Sequence, residues 1–137
     1  METRVYSWGD GRPWHSYAAY CRRHFGGRVR KIAVDAGLSC PNRDGTIGSE
    51  GCTFCDNRAF TPSYCSPRKS LTRQIEEGIA FHTARGRDEG LCLAYFQPFS
   101  NTHAPVARLR ELYAEALDHP RISGLVIGTR PDCVDDE

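Results

Sequence analysis

With 137 residues, 39% of them hydrophobic and 26% charged, the chain has the size and composition of one globular domain with a real core and no second large unit. A net charge of +1, with the arginines scattered along the chain, excludes a strong overall field for nucleic acid or an acidic membrane surface. No apolar run reaches the ~18 residues of a membrane span, and the opening Met1–Asp10 lacks the apolar region of a signal peptide.

Seven cysteines, an odd number without a secretory leader, suit a reducing, cytoplasmic setting in which thiols bind metal rather than pair. No membrane partner is expected.

Residues 1–28 read as a loose lead followed by a helix. Trp14, Tyr17, Ala18, Cys21 and Phe25 fall at helical spacing and predict one apolar stripe, with Pro13 in the first turn and Gly26-Gly27 as the stop. Cys21 lies on that stripe and is expected to be packing. A short buried strand follows over Val29–Ala36. Ser70 is placed to cap a second helix, with Leu71, Ile75, Ile79 and His82 on one face and Gly86 at its end.

Leu91–Gln97 is continuously apolar, as in a parallel strand covered on both faces, and Cys92 within it is expected to be structural. Val106, Leu109, Leu112, Tyr113, Ala116 and Leu117 predict a third helix, with Pro105 near its start and His119-Pro120 closing it. Ile122–Thr129 is a third strand.

Strand–helix alternation of this kind predicts an α/β class with parallel pairing. Residues 29–137 number 109. A (β/α)8 barrel spends about 31 residues on each unit, so this is room for about three and a half units. The expected architecture is therefore a partial (β/α) barrel, truncated after about three units. The acidic tail Val134–Glu137 suits the first turn of a further helix.

Between the first strand and the second helix lies Cys40-Pro-Asn-Arg-Asp-Gly-Thr-Ile-Gly-Ser-Glu-Gly-Cys52-Thr-Phe-Cys55, with the spacing Cys-x11-Cys-x2-Cys. Thiols two residues apart are able to face one metal centre, and a third joins them across a flexible loop. Arg43 and Arg58 are candidates for holding those thiols deprotonated. Cys65 follows ten residues later. A closed four-thiolate zinc site of Cys40, Cys52, Cys55 and Cys65 is the other arrangement the spacing permits.

Four stretches in order carry a resemblance: Arg30–Cys40, Cys40-Pro-Asn-Arg-Asp-Gly-Thr46, Tyr95–Thr102 and Thr129-Arg-Pro-Asp-Cys133. Together with Phe54 between the last two cysteines, they resemble the YhcC-like branch of the radical SAM superfamily. The resemblance runs from about Ser16 to the C-terminus. The superfamily's commoner motif has three residues between its first two cysteines; this chain has eleven.

The resemblance implies that Cys40, Cys52 and Cys55 bind three irons of a [4Fe–4S] cluster, leaving the fourth to S-adenosylmethionine. Reductive cleavage of that cofactor gives a 5′-deoxyadenosyl radical. It also implies that Phe54 meets the adenine and that Gln97, Asn101 and Thr102 meet the methionine end, although the Gly-Gly-Glu-like segment usual at that place is absent. For these polar residues, turn and cap chemistry is the other reading.

A small electron-donor protein is the implied partner, and an RNA substrate has family analogy alone behind it. Arg130 is free to pair with a ligand carboxylate or with Asp132, and Cys133 to sit near substrate or pack in its loop. His82 and His103 are expected at packing or surface positions. Because the barrel's later strands are not in this sequence, a catalytically inactive fragment is the remaining alternative.

Overall fold

Three six-residue strands lie side by side and parallel: β1 (Val29–Val34), β2 (Leu91–Phe96) and β3 (Ile122–Ile127), in the order β1-β2-β3. The computed structural model describes residues 4–87 and 89–137. A helix α1 (Tyr17–Phe25) precedes the sheet, α2 (Leu71–Thr83) connects β1 to β2, and α3 (Val106–Leu117) connects β2 to β3. Short 3₁₀ turns occupy Asn57–Ala59 and Pro131–Cys133. The α/β class and the three strand positions are as expected, and the chain forms a partial β/α fold. Among the described residues no helix is long and apolar enough to cross a membrane.

Period-two geometry decides which strand residues meet the helices. Ile32, Val34, Cys92, Ala94, Phe96 and Ile122 join Leu71 and Ile75 of α2 and Leu112 and Ala116 of α3 in one buried cluster. Burying the side chains of Ile32, Ile75 and Phe96 contributes roughly 1.5–3 kcal/mol each. The two helices are also tied to each other, since Glu115 accepts hydrogen bonds from the backbone and hydroxyl of Thr72.

β2 departs from the expected burial on both faces. Its exposure alternates, with Cys92, Ala94 and Phe96 buried and Leu91, Leu93 and Tyr95 partly open. The apolar run is continuous because the second face carries apolar residues too, yet α2 and α3 cover only the first.

The stripe expected of α1 is likewise corrected. Ser16, not Pro13, begins the helix, accepting a hydrogen bond from the Ala19 amide, so Trp14 falls outside it. Tyr17 and Phe25 are about half exposed, and the buried residues are Ala19 and Cys21. Two of these aromatics have surface neighbours instead: the Lys31 ammonium lies 5.1 Å from the Tyr17 ring centre, and Tyr20 meets Phe25 edge-on. The acidic tail does not begin a helix; Val134 is extended after the 3₁₀ turn.

The other two helices start as expected. Ser70 caps α2 by accepting from the Arg73 amide, and Pro105 sits immediately before α3. Gly78 inside α2 lies so close to β1 that an added Cβ would fall 2.5 Å from Ile32 Cγ2 and 2.9 Å from the Tyr64 ring. Gly78→Ala, normally worth about 1 kcal/mol of helix stability, is therefore expected to destabilise. Ile75→Ala should cost about 2–5 kcal/mol and Trp14→Ser less than about 0.5 kcal/mol, all read from urea unfolding midpoints.

Candidate functional site

The loops leaving the C-terminal ends of all three strands meet on one rim. Between them is a cavity of about 450 Å³ lined by Cys40, Cys52 and Cys55, by Arg43 and Phe54 of the same loop, by Gln97, Phe99 and Ser100 after β2, and by Thr129 and Arg130 after β3. In parallel β/α folds this is the end at which ligands collect. The three cysteines expected to act together thus open onto one space.

The loop of residues 40–55 is held by its own backbone. The carbonyl of Cys40 accepts from the amides of Arg43 and Asp44, that of Pro41 from Ile47 and Gly48, and that of Asn42 from Gly51. Gly51 has φ +80°, and an added Cβ would fall 2.9 Å from the Arg43 guanidinium. That close approach lets Arg43 reach across and donate to the Cys55 carbonyl at 3.3 Å. A second tie crosses to the next loop, where His103 Nε2 lies 2.6 Å from Asp44 Oδ2. Hydrogen bonds from Thr46, joined by that histidine, hold the Asp44 carboxyl down at about 2.

Each cysteine sulfur has a polar neighbour. Asn42 Nδ2 donates to Cys52 Sγ at 3.2 Å, Ser100 Oγ lies 3.1 Å from Cys40 Sγ, and Cys55 Sγ is 3.8 Å from Asn57 Oδ1. Asn42 Oδ1 and Asn57 Nδ2 are buried without a partner. Among the described residues, no three His, Cys, Asp or Glu side chains draw close enough to share a single metal ion.

The loop after β2 is shaped by Asn101, which is fully buried. Its Nδ2 reaches the carbonyls of Phe96 and Pro98 at 3.0 Å and of Gly128 at 2.9 Å. Thr102 bonds to Thr129 and to the Cys133 carbonyl. Of the four residues expected around a cofactor, Phe54 and Gln97 line the cavity, whereas Asn101 and Thr102 hold the loops around it. Phe54 is 90% exposed, an unusual state for a phenyl ring without a partner.

The remaining cysteines lie elsewhere or serve packing. Cys65 turns from the cavity to donate to the Ala33 carbonyl at 3.1 Å, and burial, with Asp35 nearby, pushes its thiol up to about 12. Cys21 and Cys92 are in the interior. The Cys133 thiol is raised by burial and by Asp132, with the Ser100 hydroxyl opposing. Arg130 forms a two-pronged pair with Asp132, at 2.9 and 2.6 Å, and Arg58 pairs with Asp56 on the surface. His82 is half-buried, and burial lowers its pKa.

Three contributors escape a reading of the sequence. Gln74 sits among the apolar positions of α2 and clasps the backbone of Asp35 in both directions, accepting at 2.8 Å and donating at 2.9 Å, so it anchors the start of the cysteine-bearing segment. Its polar side chain at a core-facing position was the available signal. Asn42 and Ser100 stand inside the informative stretches, but their sulfur contacts join residues 10 and 60 positions apart.

No known protein-family pattern matches the chain, and neither does any solved structure. It is similar to the uncharacterized protein YtqA of Bacillus subtilis, 40% identical over 129 residues covering 90% of this chain and 38% of the relative. It is similar as well to protein YhcC of Escherichia coli K12, 42% identical over 114 residues covering 83% of this chain and 35% of the relative. An uncharacterized protein of Methanocaldococcus jannaschii is 34% identical over 135 residues, 97% of this chain and 39% of the relative. The chain thus spans less than two fifths of the length of these relatives.

Proposed function

We propose that this chain carries the metal-binding part of a radical SAM protein, with Cys40, Cys52 and Cys55 as ligands of a [4Fe–4S] cluster. The observation that supports it best is the opening of these three cysteines, and no fourth, onto one cavity at the strand C-termini. A cubane spreads its thiolates over separate irons, so cysteines that face a shared space without closing on a single ion suit it. The unfilled ligand position is where S-adenosylmethionine would bind.

When bound, such a cluster supplies the electron for reductive cleavage of S-adenosylmethionine. The chain's own residues hold and orient the parts. Phe54 offers an exposed ring face for the adenine, and Gln97 a hydrogen-bonding amide toward the methionine end, while Asn101 and Thr102 fix the loop that presents Gln97. Arg43 braces the loop by its bond to Cys55. The electron itself comes from outside, for which a small electron-transfer protein is the fitting partner, in a reducing, cytoplasmic compartment. The substrate whose hydrogen is taken is not assigned.

A closed zinc site would need Cys65 to join the other three, breaking its bond to Ala33 and ionising a buried thiol. The two readings therefore diverge at that residue. In anaerobically reconstituted protein, Cys52→Ala should lose the broad visible absorption of the cluster, its iron and any 5′-deoxyadenosine release, while Cys65→Ser keeps wild-type iron content. Loss of metal from Cys65→Ser with retention in Cys52→Ala would contradict the assignment. In the metal-free protein, the raised pKa leaves Cys65 a neutral thiol at about pH 8, so iodoacetamide should modify Cys55 well before Cys65, as read by peptide mass spectrometry.

A further inference from the structure

We infer that Asn42, Ser100 and Asn57 set the reduction potential of the metal centre by each donating a hydrogen bond to one of its three cysteine sulfurs. The inference rests on the cluster reading above and adds to it a property that the cysteines alone do not determine.

The donor directions follow from the ligated state. A thiolate bound to iron has no proton, so the 3.1 Å contact between Ser100 and Cys40 becomes a bond donated by the hydroxyl. Ser100 is 1% exposed, which shuts out water and leaves the Cys133 sulfur as the other acceptor near its hydroxyl. Asn42 already points its Nδ2 at Cys52, and its Oδ1 is buried with no partner, so the sulfur is the contact that rewards this orientation.

Asn57 completes the set. With Cys55 protonated, the thiol donates to Asn57 Oδ1 while Nδ2 is left buried and unpartnered. Once Cys55 is a thiolate, an oxygen facing it repels. Turning the amide over puts an N–H on the sulfur and moves Oδ1 to the place from which Nδ2 came. All three sulfurs then have a donor.

These donors come from separate places. Asn42 and Asn57 sit inside and just beyond the cysteine loop. Ser100 comes from the loop after β2, where Phe99 is held at φ +67°, a conformation unusual for a bulky residue. Strain at the residue next to a buried hydroxyl on a ligand sulfur is the pattern of a position built for that contact.

The effect has a definite sign. Reduction adds one electron from an external donor, dithionite in the test, and moves no proton. The added negative charge is shared with the thiolate sulfurs, where N–H and O–H dipoles in a water-poor site stabilise it. Removing a donor therefore makes reduction harder and the midpoint potential more negative.

The test measures midpoint potentials by dithionite titration of the anaerobically reconstituted chain, following the paramagnetic resonance of the reduced centre. Asn42→Ala, Asn57→Ala and Ser100→Ala should each shift the potential in the negative direction. Asn42→Asp should shift it further than Asn42→Ala, because it replaces the donor with a negative charge. Ser100→Thr keeps the hydroxyl and should stay near wild type, so the serine pair carries the test even where an asparagine variant fails to assemble. Potentials equal to wild type in the alanine variants, or equal shifts in Ser100→Thr and Ser100→Ala, would overturn the inference. Failure of the wild-type chain to take up iron and sulfide would instead remove the cluster reading, and that result is visible before any variant is compared.

Discussion

One side-chain amide reaches the backbone carbonyls of Phe96, Pro98 and Gly128, and through them it fixes where β2 and β3 release their loops. The amide belongs to Asn101, which is wholly buried. The Phe96 carbonyl also accepts from the Gly128 amide and the Gly128 carbonyl from the Asn101 backbone amide, so the side chain adds a second bond at each and joins both to Pro98. Because Asn101 follows Ser100 directly, the same tie places the serine hydroxyl on Cys40. Gln74 does the corresponding work at the end of β1, clasping Asp35 ahead of the cysteine loop. The site thus depends on two buried amides that bond backbone, one per loop system.

The sheet explains why those ties matter. Parallel pairing sends every strand out at the same end, so the loops after β1, β2 and β3 face one another without further folding. Helices α2 and α3 cover one face and supply the apolar core, while the other face keeps Leu93 and Tyr95 only half-buried. The rim loops rest on a rigid base on one side, with the Arg43 guanidinium and the Asp44–His103 pair bracing them from the other.

Much of this was legible in the sequence because it follows from period and punctuation. The three strands, the Ser70 cap and the cysteine loop stand close to where apolar runs, caps and turn residues put them. The failures share a cause: helical spacing and apolar character do not say what covers a face. Trp14, Tyr17 and Phe25 are spaced as a buried stripe, yet each is half exposed or more, with Tyr17 beside Lys31 and Phe25 beside Tyr20 at the surface. The continuous run of β2 reads as covered on both faces, and only one is. Asn101 was legible as a polar residue in an informative loop; that its amide bonds the nearby carbonyls of Phe96 and Pro98 and also that of Gly128, 27 residues on, is a matter of distances that composition and spacing do not carry.

The central claim is that this loop holds an iron–sulfur cluster through three thiolates rather than a zinc ion through four. Metal and sulfide analysis of the chain after anaerobic reconstitution in the presence of competing zinc tests it most directly. About four irons and four sulfides per chain, with Cys65 still protected from alkylation, is the predicted result. One zinc per chain with no sulfide and a ligated Cys65 would contradict it.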